Sequence, residues 1–176
     1  MGTARIQQMF GDETDSAASP AAVTASASSG TAPTNGSVLK YRTRALDASV
    51  DNDFHFHFLL PSNYASGGTL VVQWLSVATS GIVIFKTAYL LVHPSTEASP
   101  TDLDAASFGT VTSQAGVSPP LVSGQIKQTS IDLGVTGAHA GDGLIVLFGR
   151  DADNAGDTCA SPALLREPWQ LVVNTV

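Results

Sequence analysis

Two histidines one residue apart, His55 and His57, have the residue type and spacing of a metal-binding pair. They lie in the segment DFHFHFLLP, where polar and apolar residues alternate as in a half-buried β-strand. Side chains at positions i and i+2 of a strand point to the same face, so both imidazoles could reach one ion. The next residues, FLLPSNY, contain no carboxylate that would complete the site. We therefore predict no metal at this pair, with the phenylalanines facing the core and the histidines facing solvent or another subunit.

The loop RDADNAGDT, residues 150–158, has the oxygen-rich composition of a calcium-binding loop. Asp151, Asp153 and Asp157 could each supply a carboxylate. Alanine and proline, however, occupy two positions at which an EF-hand needs an oxygen ligand and its bidentate glutamate. The sequence therefore favours an acidic connection between strands, with calcium binding by this loop as the alternative.

Motifs for catalysis are absent from the sequence. It contains no Gly-x-Ser-x-Gly nucleophile elbow and no phosphate-binding P-loop, and nothing next to the single cysteine, Cys159, would activate it. The His-x-His pair lacks the glutamate and the third histidine of the cupin metalloenzymes. The carboxylate pair Asp102 and Asp104 lies in a loop rich in Pro and Ser, where acidic residues are ordinary. We expect no enzymatic activity, no catalytic residue and no cofactor.

Composition narrows the classes of partner. The chain of 176 residues has a formal net charge of -7 and only 8 Lys and Arg, too few for non-specific binding to nucleic acid. One cysteine cannot form an intrachain disulfide. No apolar run reaches the ~20 residues of a membrane span, and the first residues lack the continuous apolar segment of a signal peptide. We expect folding in cytoplasm, without nucleic-acid or membrane partners. A charged fraction of 13% also fits a protein that covers much of its surface with neighbours, or one covered by Ser and Thr.

The first 37 residues differ in composition from the rest. Residues 14–37 are almost entirely Ala, Ser, Thr, Gly and Pro, which cannot bury enough apolar surface to offset the entropy of ordering them. Before them, Ile6, Met9 and Phe10 could form an apolar hook. We predict that residues 1–37 form a flexible or extended N-terminal arm whose hook contacts another subunit; a disordered tail is the alternative.

Three of the basic residues, Lys40, Arg42 and Arg44, alternate along one segment and would share one strand face. Such a stripe could protect a sheet edge from aggregation. The alternative is docking onto an acidic protein surface, which would make these residues contacts to a partner.

From residue 38 onward, short apolar segments alternate with turns rich in Gly, Ser and Pro. No helical period persists for three turns. The pattern predicts an all-β domain over residues 38–176, an antiparallel two-sheet β-sandwich, specifically a jelly roll of about eight strands, with an immunoglobulin-like sandwich as the alternative. Trp74 and Trp169 are expected in its core rather than on a carbohydrate-stacking surface. The predicted strands are VLKYRTRALD, DFHFHFLLP, TLVVQWLSV, IVIFKTAYLLV, FGTVTS, GQIKQTSIDL, GLIVLFGR and LREPWQLVV.

The segments FHFHFLLPSNYASGGTLVVQW, GDGLIVLFGRDADNAGDT and the last strand WQLVV resemble the jelly-roll virion proteins of tailed bacteriophages. The closest similarity is to capsid decoration, or cement, proteins, and it covers roughly residues 40–175. The resemblance implies a structural protein that binds the outer capsid surface and stabilises the lattice by bridging neighbouring capsomers. Its partners would be the major capsid protein and its own copies in a homotrimer, on a virion assembled in the cytoplasm of the bacterial host.

Under that resemblance, the apolar hook and the basic stripe would contact the capsid or a neighbouring subunit. Related jelly rolls also occur in tails and fibres. The alternative function is therefore a carbohydrate- or receptor-binding jelly-roll module of a phage tail or fibre.

Overall fold

The computed structural model describes residues 2–8, 22–24, 43–94 and 96–176. These ranges contain ten β-strands and no helix, and therefore no helix long and apolar enough to cross a membrane. The strands are β1 (Gly2–Gln8), β2 (Ala22–Thr24), β3 (Thr43–Leu46), β4 (Asn52–Leu59), β5 (Tyr64–Leu75), β6 (Phe85–Val92), β7 (Thr112–Ser113), β8 (Lys127–Asp132), β9 (Gly143–Arg150) and β10 (Ala163–Thr175).

The strands form two antiparallel sheets. Sheet A has the order β2-β3-β10-β5-β8, with β1 also paired to β10, and sheet B has the order β4-β9-β6-β7. From β3 onward, one sheet has the order β3-β10-β5-β8 and the other has the order β4-β9-β6-β7. These two orders give the Greek-key connectivity of an eight-stranded jelly roll. The predicted all-β class and the two-sheet sandwich are confirmed.

The core follows from the alternation in β4. Phe54, Phe56 and Phe58 are at most 5% exposed, because alternate side chains of the strand point between the sheets. The ring centroids of Phe56 in sheet B and Trp169 in sheet A lie 4.5 Å apart. Trp74 is also fully buried, and its indole nitrogen donates a hydrogen bond of 2.9 Å to Thr129. The predicted inward stripe and the core position of both tryptophans are confirmed.

The connection from β4 to β5 crosses from one sheet to the other and is not a hairpin. A tight turn, in which the Tyr64 amide donates to the Pro61 carbonyl at 2.9 Å, carries the chain from sheet B to sheet A. β5 begins at Tyr64, whereas the predicted strand TLVVQWLSV begins at Thr69. Gly67 has a φ of 75°, and the pairing with β10 is irregular there. The glycine thus serves a β-bulge rather than a hairpin turn.

Two pieces of the predicted arm belong to the sandwich. β1 pairs with the second half of β10 over seven residues, and β2 pairs with β3 over three. These two pieces are strands of sheet A, and the N-terminal arm over residues 1–37 stays a prediction. The predicted boundary at residue 38 and the other residues of the arm lie outside the described ranges.

Candidate functional site

Of the residues predicted to contact a partner, the structure describes Ile6 and Arg44. Ile6 is a half-buried residue of β1 that packs against the hydrophobic core of its own chain. Met9, Phe10, Lys40 and Arg42 lie outside the described residues. The structure therefore does not place the hook or the stripe as a unit.

Arg44 is a correction to the predicted basic face. It is 5% exposed, and its guanidinium lies 5.2 Å from the centre of the Phe54 ring. Burial puts the guanidinium in a cation–π contact within the sandwich, where it strengthens packing and presents no charge to a partner. The alternation shows that Arg44 shares a strand face with Leu46, but it does not show that this face points between the sheets.

The two histidines of β4 lie on the outward face of sheet B. His57 is exposed, whereas His55 is half-buried and its ring centroid lies 4.8 Å from that of Phe108. Desolvation lowers the pKa of His55 below its ordinary value of 6.5; the charge of Asp53 opposes this shift and that of His57 adds to it. The predicted outward orientation is confirmed.

The acidic loop after β9 is anchored by a buried ion pair. Arg150 donates to both carboxylate oxygens of Asp157, at 2.9 Å from Nε and 2.6 Å from Nη2, and both side chains are at most 1% exposed. The backbone amide of Ile84 also donates to Asp157, at 2.9 Å. Asp157, one of three predicted calcium ligands, is thus used inside the protein.

Beside this loop, Lys86 meets two aspartates near the start of β4. Lys86 Nζ lies 2.8 Å from Asp51 and 3.6 Å from Asp53. Burial alone would lower the pKa of Lys86, but the hydrogen bond and the charge of Asp51, with further aspartates, raise it overall. Asp51, Asp151 and Asp153 have carboxylate oxygens within 4.8 Å of one another, and the negative charge of Asp51 raises the pKa of Asp153. Lys86 therefore already supplies a positive charge to this acidic group.

A groove of about 310 Å³ opens between β6, β7 and the chain that leaves β8. Its lining joins hydroxyl groups, an amide, a carboxylate and one aromatic ring. The lining residues are Thr87, Ala88, Tyr89, Thr110, Thr112, Gln114, Asp132, Leu133 and Gly134.

Hydrogen bonds hold the polar side chains of this groove in place. The Gln114 amide nitrogen donates to the Thr87 hydroxyl at 2.8 Å, and the backbone amide of Gln114 donates to Phe85 at 2.7 Å. Asp132 accepts the backbone amide of Gly134 at 3.0 Å. These contacts order the groove before any ligand arrives, which lowers the entropic cost of binding.

Sequence reasoning missed this groove. Tyr89 lies in an apolar strand and reads as core, whereas Gln114 and Asp132 belong to segments without a motif. Only the pairing of β6 with β7 and the return of the chain after β8 bring these residues together.

A second cluster lies where β6 ends and β9 begins. It contains His93, Glu97, His139 and Asp142, whose potential ligand atoms are all within 4.8 Å of one another. No metal-binding motif in the sequence joins the two histidines, which stand 46 positions apart (139 minus 93).

Comparison with known proteins finds similarity only among solved structures. The sequence matches no protein-family model, and no curated protein is significantly similar to it. A structure of TmCBM61 in complex with β-1,4-galactotriose has a TM-score of 0.41 at 13% identity, over 92% of this chain and 87% of that one. The exo-β-1,3-galactanase of Phanerochaete chrysosporium has a TM-score of 0.43 at 8% identity, over 97% of this chain and 29% of that one.

A third structure, of carbohydrate-binding modules from the β-sandwich superfamily, has a TM-score of 0.38 at 8% identity. The match extends over 96% of this chain and 56% of that one. The chain thus spans less than two thirds of two of these three structures.

Proposed function

We propose that this protein is a non-enzymatic binding module of a phage tail or fibre that binds carbohydrate in the groove between β6, β7 and the chain after β8. The observation that carries the proposal is the ordered set of hydrogen-bonding side chains beside Tyr89 in that groove. The virion context rests on the resemblance of FHFHFLLPSNYASGGTLVVQW to phage jelly rolls.

The chemistry of the lining suits a sugar. A sugar offers hydroxyl groups that both donate and accept, together with apolar C–H faces that contact aromatic rings. Asp132 and Gln114 supply acceptors and donors, and Tyr89 supplies the ring. The volume of about 310 Å³ lies at the small end of the range for ligand sites, which suits one or two sugar units.

Binding without hydrolysis follows from the carboxylate content of the groove. Most glycosidases use a pair of carboxyl groups on either side of the scissile bond. Asp132 is the single carboxylate among the described residues that line the groove. This lining could orient a sugar but lacks the second group needed to cleave it.

A glycan array followed by calorimetry with the best ligand tests the proposal. We expect Asp132→Ala and Gln114→Ala to weaken binding by about tenfold or more, because each removes a hydrogen bond to the ligand. Asp104→Ala is the matched control, since Asp104 is exposed and does not line the groove, and it should leave affinity unchanged. Absence of any bound glycan, or equal affinity of the groove variants, would contradict the proposal.

Capsid decoration is the second candidate, and the outward face of sheet B favours it. Leu59 is 69% exposed there, and Ile145 and Leu147 are half-buried. Strand register places these residues beside His55 and His57 on one surface. Aliphatic side chains interleaved with two histidines form a surface suited to another subunit or a capsid lattice.

Leu59→Glu tests this second candidate. A charge at the centre of an apolar contact should abolish self-association in sedimentation and co-sedimentation with capsids, while leaving the thermal midpoint unchanged because Leu59 is exposed. Leu121→Glu is the matched control, since Leu121 is 87% exposed in the loop before β8. If the Leu59 variant associates like the unchanged protein, sheet B is not the contact surface.

A further inference from the structure

We propose that His93, Glu97, His139 and Asp142 bind a late first-row divalent metal ion, of which Zn²⁺ is the reference. His93 follows β6 directly, Glu97 lies in the next turn, and the other two precede β9. None of the four lines the groove between β6 and β7, so this site is independent of the proposed function.

The distances within the cluster are close to those of a metal site. His93 Nδ1 lies 3.0 Å from Asp142 Oδ2, and His139 Nδ1 lies 3.4 Å from Glu97 Oε2 and 3.7 Å from Asp142 Oδ2. Ligand atoms at ~2.0–2.2 Å around a tetrahedral ion are ~3.3–3.6 Å apart. The widest separation, within 4.8 Å, closes by rotation of Glu97 or His139, which are partly or largely exposed.

Two residues of the cluster have buried polar atoms without a hydrogen-bond partner. Asp142 is 0% exposed, and within the described part of the chain its Oδ1 has no hydrogen-bond partner. The Nδ1 atom of His93 is likewise buried without a hydrogen bond, although it faces Asp142 Oδ2. Native proteins rarely leave buried polar atoms without a partner, and a buried carboxylate is costly unless a cation compensates it. A metal ion would satisfy both atoms.

The backbone holds two of the ligands firmly. The carbonyl of Asp142 accepts the Leu60 amide at 2.8 Å, and its carboxylate accepts the His139 amide at 2.7 Å. The hydroxyl of Thr101 accepts the His93 amide at 2.9 Å. Beside these side chains, a cavity of about 220 Å³ lined by His93, Glu97 and His139 gives an ion access.

The donor set selects the kind of ion. Two imidazole nitrogens and two carboxylates suit Zn²⁺ and its neighbours, whereas Ca²⁺ and Mg²⁺ prefer oxygen alone. Four protein ligands also describe a closed structural site rather than a catalytic one. The bound ion would connect the turn after β6 to the loop before β9, and would stabilise the folded chain by mass action.

Calorimetry and thermal melting of chelator-treated protein without a histidine tag test the proposal. Titration with Zn²⁺ should show one site per chain and raise the melting midpoint, and titration with Ca²⁺ should do neither. Substitution by Co²⁺ should give the visible absorption of a tetrahedral site.

His139→Ala should weaken Zn²⁺ binding by about tenfold or more without unfolding the protein, because its side chain is 62% exposed. Glu97→Gln is the second variant and should also weaken binding. The double variant His55→Ala and His57→Ala is the matched control, because it removes the other two of the four histidines in the chain and should bind Zn²⁺ unchanged. Failure of the unchanged protein to take up one Zn²⁺, full affinity in the His139 variant, or loss of binding in the control would overturn the site.

Discussion

His55 shows how neighbouring residues alter one side chain of an exposed pair. Its ring lies against Phe108, and desolvation lowers its pKa below 6.5. The unfolded chain therefore takes up a proton at a higher pH than the folded protein does. The stabilisation from neutral His55 is complete above about pH 6.5 and is lost as the pH falls through the lowered folded-state pKa.

We expect His55→Asn to reduce this loss. Urea unfolding of both proteins at about pH 7.5 and about pH 5.5 gives the fall in free energy of unfolding for each protein. Comparing the fall in the variant with that in the unchanged protein cancels the contribution of the other titrating groups. The unchanged protein should lose more stability on acidification than the variant. Equal losses would show that His55 is not the group responsible.

The pair of Arg150 and Asp157 makes a second prediction at the scale of residues. Asp157→Asn leaves the guanidinium of Arg150 buried without its counter-charge. Breaking such a pair costs about 3–5 kcal/mol, because the remaining charge is neither paired nor hydrated. Urea denaturation should show that loss.

Asp153→Asn is the control for this pair. Asp153 belongs to the same loop but is exposed, and exposed substitutions usually change stability by less than about 0.5 kcal/mol. Similar losses in the two variants would mean that the loop, rather than the buried pair, determines stability.

At the scale of elements, β1 is the strand whose sequence least suggests its structure. It pairs with β10 along its whole length, and Ile6 packs against the core. Ile6→Asp places a charge against apolar neighbours and should destabilise the protein by about 1–3 kcal/mol. Thr3→Asp on the same strand should change stability little, since Thr3 is exposed. Thermal melting of the two variants measures the difference, and equal midpoints would argue that β1 does not pack against the sandwich in solution.

The elements also show where sequence patterns succeed. Alternation in DFHFHFLLP identifies β4 and its inward face, because the apolar side chains themselves provide the burial. β1 and β2 escape such reasoning, since backbone hydrogen bonds to β10 and β3 hold them and few apolar side chains mark them. The glycines after Tyr64 suggest a turn, but they permit a bulge equally well. Local composition therefore predicts a strand well when the strand buries its own apolar side chains, and poorly when the strand only completes a sheet through backbone hydrogen bonds.

At the scale of the molecule, neither candidate site could be predicted from the sequence. Gln114 and Asp132 reach one groove, and His93 and His139 reach one cluster, only because sheet pairing joins segments far apart in the chain. The class of fold is accessible because it depends on the summed pattern of many strands. The sites depend on register and loop paths, which single residues do not encode locally.

The same long-range pairing changes the expectation for a truncated chain. Removing residues 1–37 deletes β1 and β2, and so uncovers the edge of β10 over its second half and the outer edge of β3. Unpaired strand edges promote association between chains. We therefore expect a lower melting midpoint and self-association in size-exclusion chromatography. A synthetic peptide of residues 1–10 should restore the midpoint by adding a strand to β10, and a scrambled peptide should not. A truncated chain as stable and as monodisperse as the full chain would contradict the role of β1 in the sheet.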